Sequence, residues 1–172
     1  MQAVSQGVSV MPASSARVSC RNRRLVLSAL IAAAPLLGAA ATPTYVPHAV
    51  APGTAPLPFS DAVLSGDTLY VAGHIGVDAR SGNVPADADA EARTVMEAVK
   101  HTVEAAGFGM DNLVSVTVFC TDLALYERFN AVYRGYFHDH FPARAFVGVD
   151  KLVRGAHFEV MGVAVRPAPA GR

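Results

Sequence analysis

The sequence is poor in cysteine throughout and lacks acidic residues at its N-terminal end. Its 172 residues include two cysteines, Cys20 and Cys120, and residues 1–41 contain no Asp or Glu. If residues 1–41 are removed during maturation, Cys120 remains alone and no intramolecular disulfide can form. The fold must then be stable through packing, which a chain of this length with 52% apolar composition can provide. We expect Cys120 to be a buried structural thiol.

Several common catalytic and binding motifs are also absent from the sequence. It has no glycine-rich phosphate loop and no Ser-His-Asp spacing typical of a hydrolase triad. His138 and His140 lie two residues apart near a predicted helix end, where such a pair does not converge on one helical face. We therefore predict neither a metal site nor a cofactor.

The N-terminal stretch without acidic residues is typical of an export signal. Four arginines precede the apolar run 25–34, and the small residues 39–41 follow it as a cleavage site. The apolar run is too short to span a bilayer as a stable anchor. We expect residues 1–41 to be removed, leaving a periplasmic or secreted protein without a stable membrane anchor.

The arginine pair in this stretch leaves the export route open. Arg23 and Arg24 precede apolar residues, which is similar to a twin-arginine signal, although ordinary secretory signals also contain arginine pairs. Removal of residues 1–41 takes away four arginines and leaves ten basic against fourteen acidic residues, a net charge of −4. This mildly acidic charge argues against nucleic acid as a partner.

The rest of the chain is interpreted as a linker, one domain and a short tail. Residues 42–58 contain five prolines and are predicted to be an extended linker without regular structure. The domain is predicted at 59–167, and the tail at 168–172. Periodicity within the domain indicates strands and helices in the order β-β-α-β-α-β-β, which favours a single mixed sheet covered by two helices.

The predicted elements have defined ends. A turn at 65–67 joins the first two strands, Asp87 or Asp89 caps the first helix, and Gly107 ends it. The second helix begins after Asp122. The predicted strands cover 59–64, 69–77, 113–119, 144–149 and 157–166, and the first helix covers 88–106.

Alternation assigns side chains to the two faces of three strands. In the second strand, we predict that His74 shares a face with Tyr70. In the third, Val114 is predicted to lie with Val116 and Val118. In the last strand, we place the following residues on one face: His157, Glu159, Met161 and Val163.

Arg144 is the strongest functional candidate. Pro142 cannot continue the preceding helical pattern and favours an extended chain, so Arg144 is expected at the start of a strand. A guanidinium at a strand end suits a carboxylate ligand, which its planar fork binds through two hydrogen bonds. Taken alone, however, an arginine is more often a surface residue or part of a structural ion pair.

The stretch Pro142-Ala143-Arg144, followed by two strands, resembles the C-terminal signature of the Rid/YjgF family of reactive-intermediate deaminases. Further landmarks occur in the same order at 59–63, 69–74, 105–107 and 129–133, so the resemblance extends over 59–167. It implies an α+β, chorismate-mutase-like fold with a mixed six-stranded sheet covered by two helices. It also implies a homotrimer whose ligand clefts lie between neighbouring subunits.

By this resemblance, Arg144 clamps the carboxylate of a small imino acid, and several further residues belong to the cleft. In the deaminating branch, a glutamate on the last strand orients the attacking water, one alternation past another acidic position. Glu159 matches the first of these positions, and Met161 occupies the second. The expected site residues are Arg144, His74 and Glu159 for catalysis, and Arg144, Asn130, Phe59, Phe146, Met161 and Tyr133 for substrate binding.

Departures from the family pattern leave three functions open. Phe59 lacks the hydroxyl of the usual tyrosine, His74 replaces a glutamine, and Phe146 replaces a residue that is often cysteine. An imine deaminase would then need His74, His157 or backbone carbonyls to hold the water. The alternatives are a different hydrolase or lyase acting on a larger carboxylate, and a binding module for a carboxylate metabolite.

Overall fold

The computed structural model describes residues 42–50, 53 and 55–167. The predicted export signal at 1–41 and the predicted tail at 168–172 lie outside these ranges. Within them, no helix has the length and apolar character that crossing a membrane would require.

The domain is one mixed sheet with two α-helices. The sheet order is β1-β2-β3-β6-β4-β5; β4 and β5 are parallel, and the other neighbours are antiparallel. This confirms the expected six-stranded α+β fold. The strands are β1 Thr44–Pro47, β2 Ser60–Ser65, β3 Thr68–Ile75, β4 Leu113–Cys120, β5 Ala143–Gly148 and β6 Phe158–Val165. The helices are α1 Ala88–Ala105 and α2 Tyr126–Tyr133, and 3₁₀ turns flank α2 at Leu123–Leu125 and Arg134–Tyr136.

The sixth strand comes from the segment predicted to be a linker. Residues Thr44–Pro47 form β1 and pair antiparallel with β2, with Tyr45 opposite Val63. The prediction that 42–58 lacks regular structure is therefore wrong for these four residues. Pro47 is tolerated here because β1 is an edge strand, where a residue without an N–H need not break a hydrogen bond of the sheet.

The core lies between the two helices and one face of the sheet. Ala92, Val95 and Val99 of α1 are almost completely buried, and Phe129 of α2 packs on Phe158 of β6 at 4.9 Å between ring centroids. Asp87 caps α1 by accepting a hydrogen bond from Ala90 N at 2.9 Å, and Gly107 follows the helix with φ of 76°. These ends confirm the predicted helix signals.

Cys120 lies at the end of β4 and is completely buried. Its Sγ donates a hydrogen bond to the backbone oxygen of Asp122 at 3.1 Å, and burial raises the pKa of the thiol. These observations confirm the prediction of a structural thiol.

The second face of the sheet carries exposed side chains. Along β6, Phe158 and Val160 are buried, whereas Met161 on the other face is 40% exposed. Tyr70 of β3 is 54% exposed and lies directly opposite Val163. The alternation predicted for the last strand, β6, is therefore confirmed.

Two changes of register correct the predicted faces. In β4, the pairing with β6 shifts between Leu113 and Ser115, so that Leu113 is buried and Val114 is 48% exposed. In β3, the pairing shifts between Val71 and His74, which places His74 opposite the buried Val160. Directly opposed residues share a face, so His74 lies on the helix side and not with Tyr70. An extra residue in one strand exchanges all later side chains between faces.

Candidate functional site

Arg144 lies at the start of β5, the edge strand beside α2. Its Nη2 donates a hydrogen bond to Asn130 Oδ1 at 2.7 Å, and its guanidinium carbon lies 4.5 Å from the centre of the Tyr133 ring. Asn130 is 6% exposed, so packing of α2 fixes the amide that orients the arginine. The rings of Tyr126 and Phe146 lie 5.8 and 5.7 Å from the same carbon.

The partners of Arg144 leave its positive charge available. Asn130 is neutral, and the aromatic rings contribute only cation–π attraction. Among the described residues, no carboxylate forms an ion pair with Arg144. A shallow cavity of about 230 Å³ opens beside the guanidinium. The arrangement thus favours an anionic ligand.

Tyr133 contributes a second polar group near Arg144. Burial raises the pKa of Tyr133 to about 12, so the phenol is protonated at neutral pH. Its hydroxyl is buried, and it has no hydrogen-bond partner among the residues that the structure describes. Unsatisfied buried hydroxyls are costly, and such a group marks a place where a further partner would be favourable.

Glu159 lies in a different and larger cavity of about 600 Å³, which Phe59 and His74 also line. Glu159 is half-buried on β6, opposite Ile75. A Cβ on Gly73 would overlap the Glu159 carboxylate oxygen, so the absence of a side chain there makes room for the carboxylate. Gly73 lies within the register shift between Val71 and His74 of β3, which therefore shapes this cavity.

His74 is held by neighbours on both sides. Its Nε2 lies 3.2 Å from Thr102 Oγ1 on α1. Burial lowers the pKa of His74, while the carboxylate and a backbone hydrogen bond of Asp61 act in the opposite direction. The ring is therefore predominantly neutral at neutral pH and positioned by α1 and β2.

His157, the other histidine considered for holding water, is bound to Glu91. Its Nδ1 lies 2.6 Å from Glu91 Oε2, and its backbone N–H donates to Glu91 Oε1 at 2.6 Å. Glu91 is completely buried and also accepts a hydrogen bond from Phe158 N at 2.9 Å. This network joins α1 to the start of β6, so it has a structural role.

The predicted site residues fall into two groups and one outlier. Asn130, Tyr133 and Phe146 surround Arg144, whereas Phe59 and His74 line the cavity of Glu159. Met161 lines neither cavity and lies opposite Thr117 on the exposed face. Strands β6 and β4 separate β3 from β5, which corresponds to about 14 Å across the sheet. One chain therefore does not bring the two groups into a single cleft.

Sequence reasoning missed several residues at these cavities. His48 Nδ1 lies 2.7 Å from Asp61 Oδ1, and both residues line the Glu159 cavity together with Arg154. No local motif indicates the pair, because His48 follows a strand that was predicted to be part of the linker. Tyr126 also lies beside Arg144, although it is not among the expected site residues.

A six-stranded mixed sheet with two helices on one face defines a YjgF-like α+β protein, and the arginine that an amide orients at its edge strand favours an anionic ligand. The chain belongs to the Rid/YjgF family. The family model described as Endoribonuclease L-PSP matches residues 49–166.

Relatives and solved structures agree with this assignment. The 2-iminobutanoate/2-iminopropanoate deaminase of Escherichia coli is 38% identical over 112 residues, which cover 63% of this chain and 88% of the relative. A RutC family protein of Sulfurisphaera tokodaii is 38% identical over 104 residues, covering 60% of this chain and 83% of that protein.

Two Escherichia coli structures show the same fold. The YjgF gene product superposes with a TM-score of 0.62 at 36% identity, covering 72% of this chain and 94% of that one. The structure of TdcF with bound serine has a TM-score of 0.62 at 32% identity, with the same two coverages.

Proposed function

We propose that the protein is an imine deaminase that binds a carboxylate-bearing imino acid in a cleft between two subunits. The observation that carries this proposal is Arg144, whose guanidinium is oriented by the neutral Asn130 and keeps its positive charge available for a substrate carboxylate. The relatives support it, since one is a deaminase of 2-imino acids and another was solved with serine, which bears a carboxylate.

Glu159 is the best-placed group to activate water. Its carboxylate lies against Gly73 in the large cavity, and within the described part of the chain it forms no ion pair that would neutralise it. A carboxylate within hydrogen-bond reach of a water can act as a general base. The role that the family resemblance gave to the position of Met161 is therefore assigned to Glu159, since Met161 lines neither cavity.

The proposed reaction is hydrolysis of a carbon–nitrogen double bond. Water adds to the imine carbon, one proton of the water passes to Glu159, and the π electrons move to the nitrogen, which takes this proton from Glu159. The hydroxyl proton then passes through the Glu159 carboxylate to the nitrogen, the carbon–nitrogen bond breaks, ammonia leaves, and the carbonyl of a 2-oxo acid forms. Arg144 holds the substrate carboxylate, so the rate increase comes mainly from positioning the imine carbon beside the attacking water.

A second subunit is needed to complete this cleft, because one chain keeps Arg144 and Glu159 on separate parts of the sheet. We infer a homotrimer in which Arg144 of one chain faces the Glu159 cavity of its neighbour. The exposed apolar face of the sheet, with Tyr70 and Met161, supplies a surface for such an assembly. Export of the protein, which depends on residues 1–41, stays a prediction.

A binding module without chemistry is the second candidate. It is favoured by the TdcF structure, in which a relative holds serine, a saturated amino acid that has no imine to hydrolyse. Binding alone would need Arg144 and would not need Glu159. The two functions therefore differ in their dependence on one side chain.

The decisive experiment compares Arg144→Ala and Glu159→Gln with the unmodified protein in hydrolysis of freshly generated 2-iminobutanoate. We expect both variants to lower kcat/KM by about a hundredfold or more, because each removes a group that acts in the transition state. Arg80→Ala and Glu127→Gln, at exposed positions outside the two cavities, serve as matched controls and should retain the activity.

Two results would contradict parts of this proposal. A folded protein whose rate equals that of the buffer would contradict deamination. A rate above the buffer that Glu159→Gln leaves unchanged would contradict the role of Glu159 as the base. A carboxylate ligand that binds with Arg144-dependent affinity in a protein without turnover would instead establish the binding module.

A further inference from the structure

The cavity beside Glu159 is larger than an imino group and its carboxylate require. Its volume of about 600 Å³ falls within the roughly 300–1,000 Å³ of sites that enclose drug-sized ligands. An imino acid with a side chain of one or two carbons fills only a small part of this volume. The space that Arg144 of the neighbouring subunit leaves free is available to another part of the substrate.

The walls of this cavity are mainly apolar. Leu57, Phe59 and Val153 line it although they are 42%, 52% and 66% exposed in the chain, and Ile75 and Val77 add to the same surface. Single exposed apolar side chains are ordinary, but several around one concave surface are typical of a site for an apolar group.

The charged groups on the cavity wall are already engaged within the chain. Asp61 is 2.7 Å from His48, Asp78 accepts hydrogen bonds from the backbone of its own turn, and Arg154 donates to a backbone carbonyl. Glu159, Asp78 and Arg154 take part in none of the ion pairs among the described residues. A charged substrate side chain would compete with the hydrogen bonds that hold Asp61, Asp78 and Arg154, whereas an apolar side chain would leave these bonds intact.

We propose that this cavity receives the substrate side chain, and that the preferred substrates are imino acids derived from amino acids with long, uncharged apolar side chains, branched or aromatic. This inference rests on the proposed deaminase function and specifies its substrate class. Burial of each added methylene group against these walls should raise kcat/KM about fourfold.

The test is a comparison of imines generated from alanine, leucine and phenylalanine, with turnover of each measured on the purified protein. We expect kcat/KM to be about tenfold or more higher for the leucine and phenylalanine imines than for the alanine imine. Leu57→Ala should reduce the ratio of leucine to alanine imine about fivefold. Leu123→Ala, which is also exposed but lies outside the cavity, should leave this ratio unchanged.

A ratio near one, or a preference for the alanine imine, would overturn the substrate class and leave the deaminase proposal intact. Binding of saturated carboxylates supplies a second readout that does not depend on turnover. Calorimetry should show that 3-phenylpropanoate and 4-methylpentanoate bind about tenfold more tightly than propanoate, with the difference reduced in Leu57→Ala. Equal affinities would overturn the inference even in a protein that hydrolyses no imine.

Discussion

At the residue scale, the two charged groups of the site are prepared in different ways. Arg144 is oriented by contacts, namely the amide of Asn130 and the ring of Tyr133. The position of the Glu159 carboxylate instead requires a residue without a side chain at Gly73, which leaves room for it. This difference predicts that a very small change at Gly73 will affect activity strongly.

Gly73→Ala should displace the Glu159 carboxylate and lower kcat about tenfold or more, because a misplaced base loses its hydrogen bond to water. Measured by urea unfolding, stability should change far less than activity, since Gly73 is exposed. Gly135→Ala is a suitable control because a Cβ there meets nothing within 4 Å. Full activity in Gly73→Ala would show that Glu159 does not act from this position.

The lowered pKa of His74 predicts that the stability of the fold depends on pH. Burial lowers its pKa below the ordinary value of 6.5, so the unfolded chain binds the proton more readily than the folded one. The free energy of unfolding should therefore fall as the pH drops below about 6.5. Asp61, which acts in the opposite direction, and His48, which lies beside Asp61, are the charged groups facing the ring.

Urea unfolding between pH 5 and 8, compared between the unmodified protein and His74→Gln, measures this contribution. The loss of stability toward pH 5 should be smaller in the variant. Asp78, Asp87 and Asp111 have pKa values lowered from 3.8, so they add nothing to the slope in this window. Parallel pH profiles would mean that the protonation of His74 is not linked to folding.

At the scale of the elements, β1 is the strand that the sequence patterns did not predict, and it protects one edge of the sheet. It covers the edge of β2, and the pair of His48 with Asp61 fixes the chain just after it at the Glu159 cavity. A protein that begins at residue 49 should unfold at a lower temperature than one that begins at residue 42. The exposed β2 edge should also promote association at high concentration, as unpaired edges do.

Thermal unfolding and light scattering of the two proteins measure both effects. His48→Gln in the longer protein separates the contribution of the side chain from that of the strand, and we expect it to cost no more than about 1 kcal/mol. Identical unfolding temperatures for the two lengths would show that β1 contributes nothing to stability.

Most elements were predictable because their signals are local. Pro142 placed Arg144 at a strand start, and Asp87 and Gly107 marked the ends of α1. The faces of β3 and β4 were partly wrong because a register shift depends on the partner strand, which alternation within one strand does not reveal. Strand β1 was missed because proline lowers strand propensity, whereas its pairing with β2 depends on an edge that only the assembled sheet provides.

The site was predictable only in its parts. The family resemblance indicated Arg144 and its neighbour Asn130, and the structure brings these together. The large cavity is lined by Glu159 and not by Met161. This depends on Gly73, which lies beside the Glu159 carboxylate across the β3–β6 pair. This contact between strands that are distant in sequence has no local signature.

At the scale of the whole molecule, the exposed sheet face predicts assembly. Sedimentation velocity should give three times the mass of one chain. Tyr70→Asp, on the exposed face, should dissociate the trimer and abolish imine hydrolysis, because a charge would be buried without a partner in the interface. Asp67→Asn, in the exposed hairpin turn between β2 and β3, should leave both the mass and the activity unchanged. A monomer with full activity would contradict a shared cleft.

The buried Cys120 also gives the molecule a built-in reporter. If residues 1–41 are absent, it is the only thiol of the chain, and its Sγ lies inside the core on the backbone of Asp122. A thiol reagent can reach it only when the core around β4 opens. Its labelling rate would thus follow the frequency of that opening, and the slowing of this rate by a carboxylate would reveal binding without any assay of the reaction.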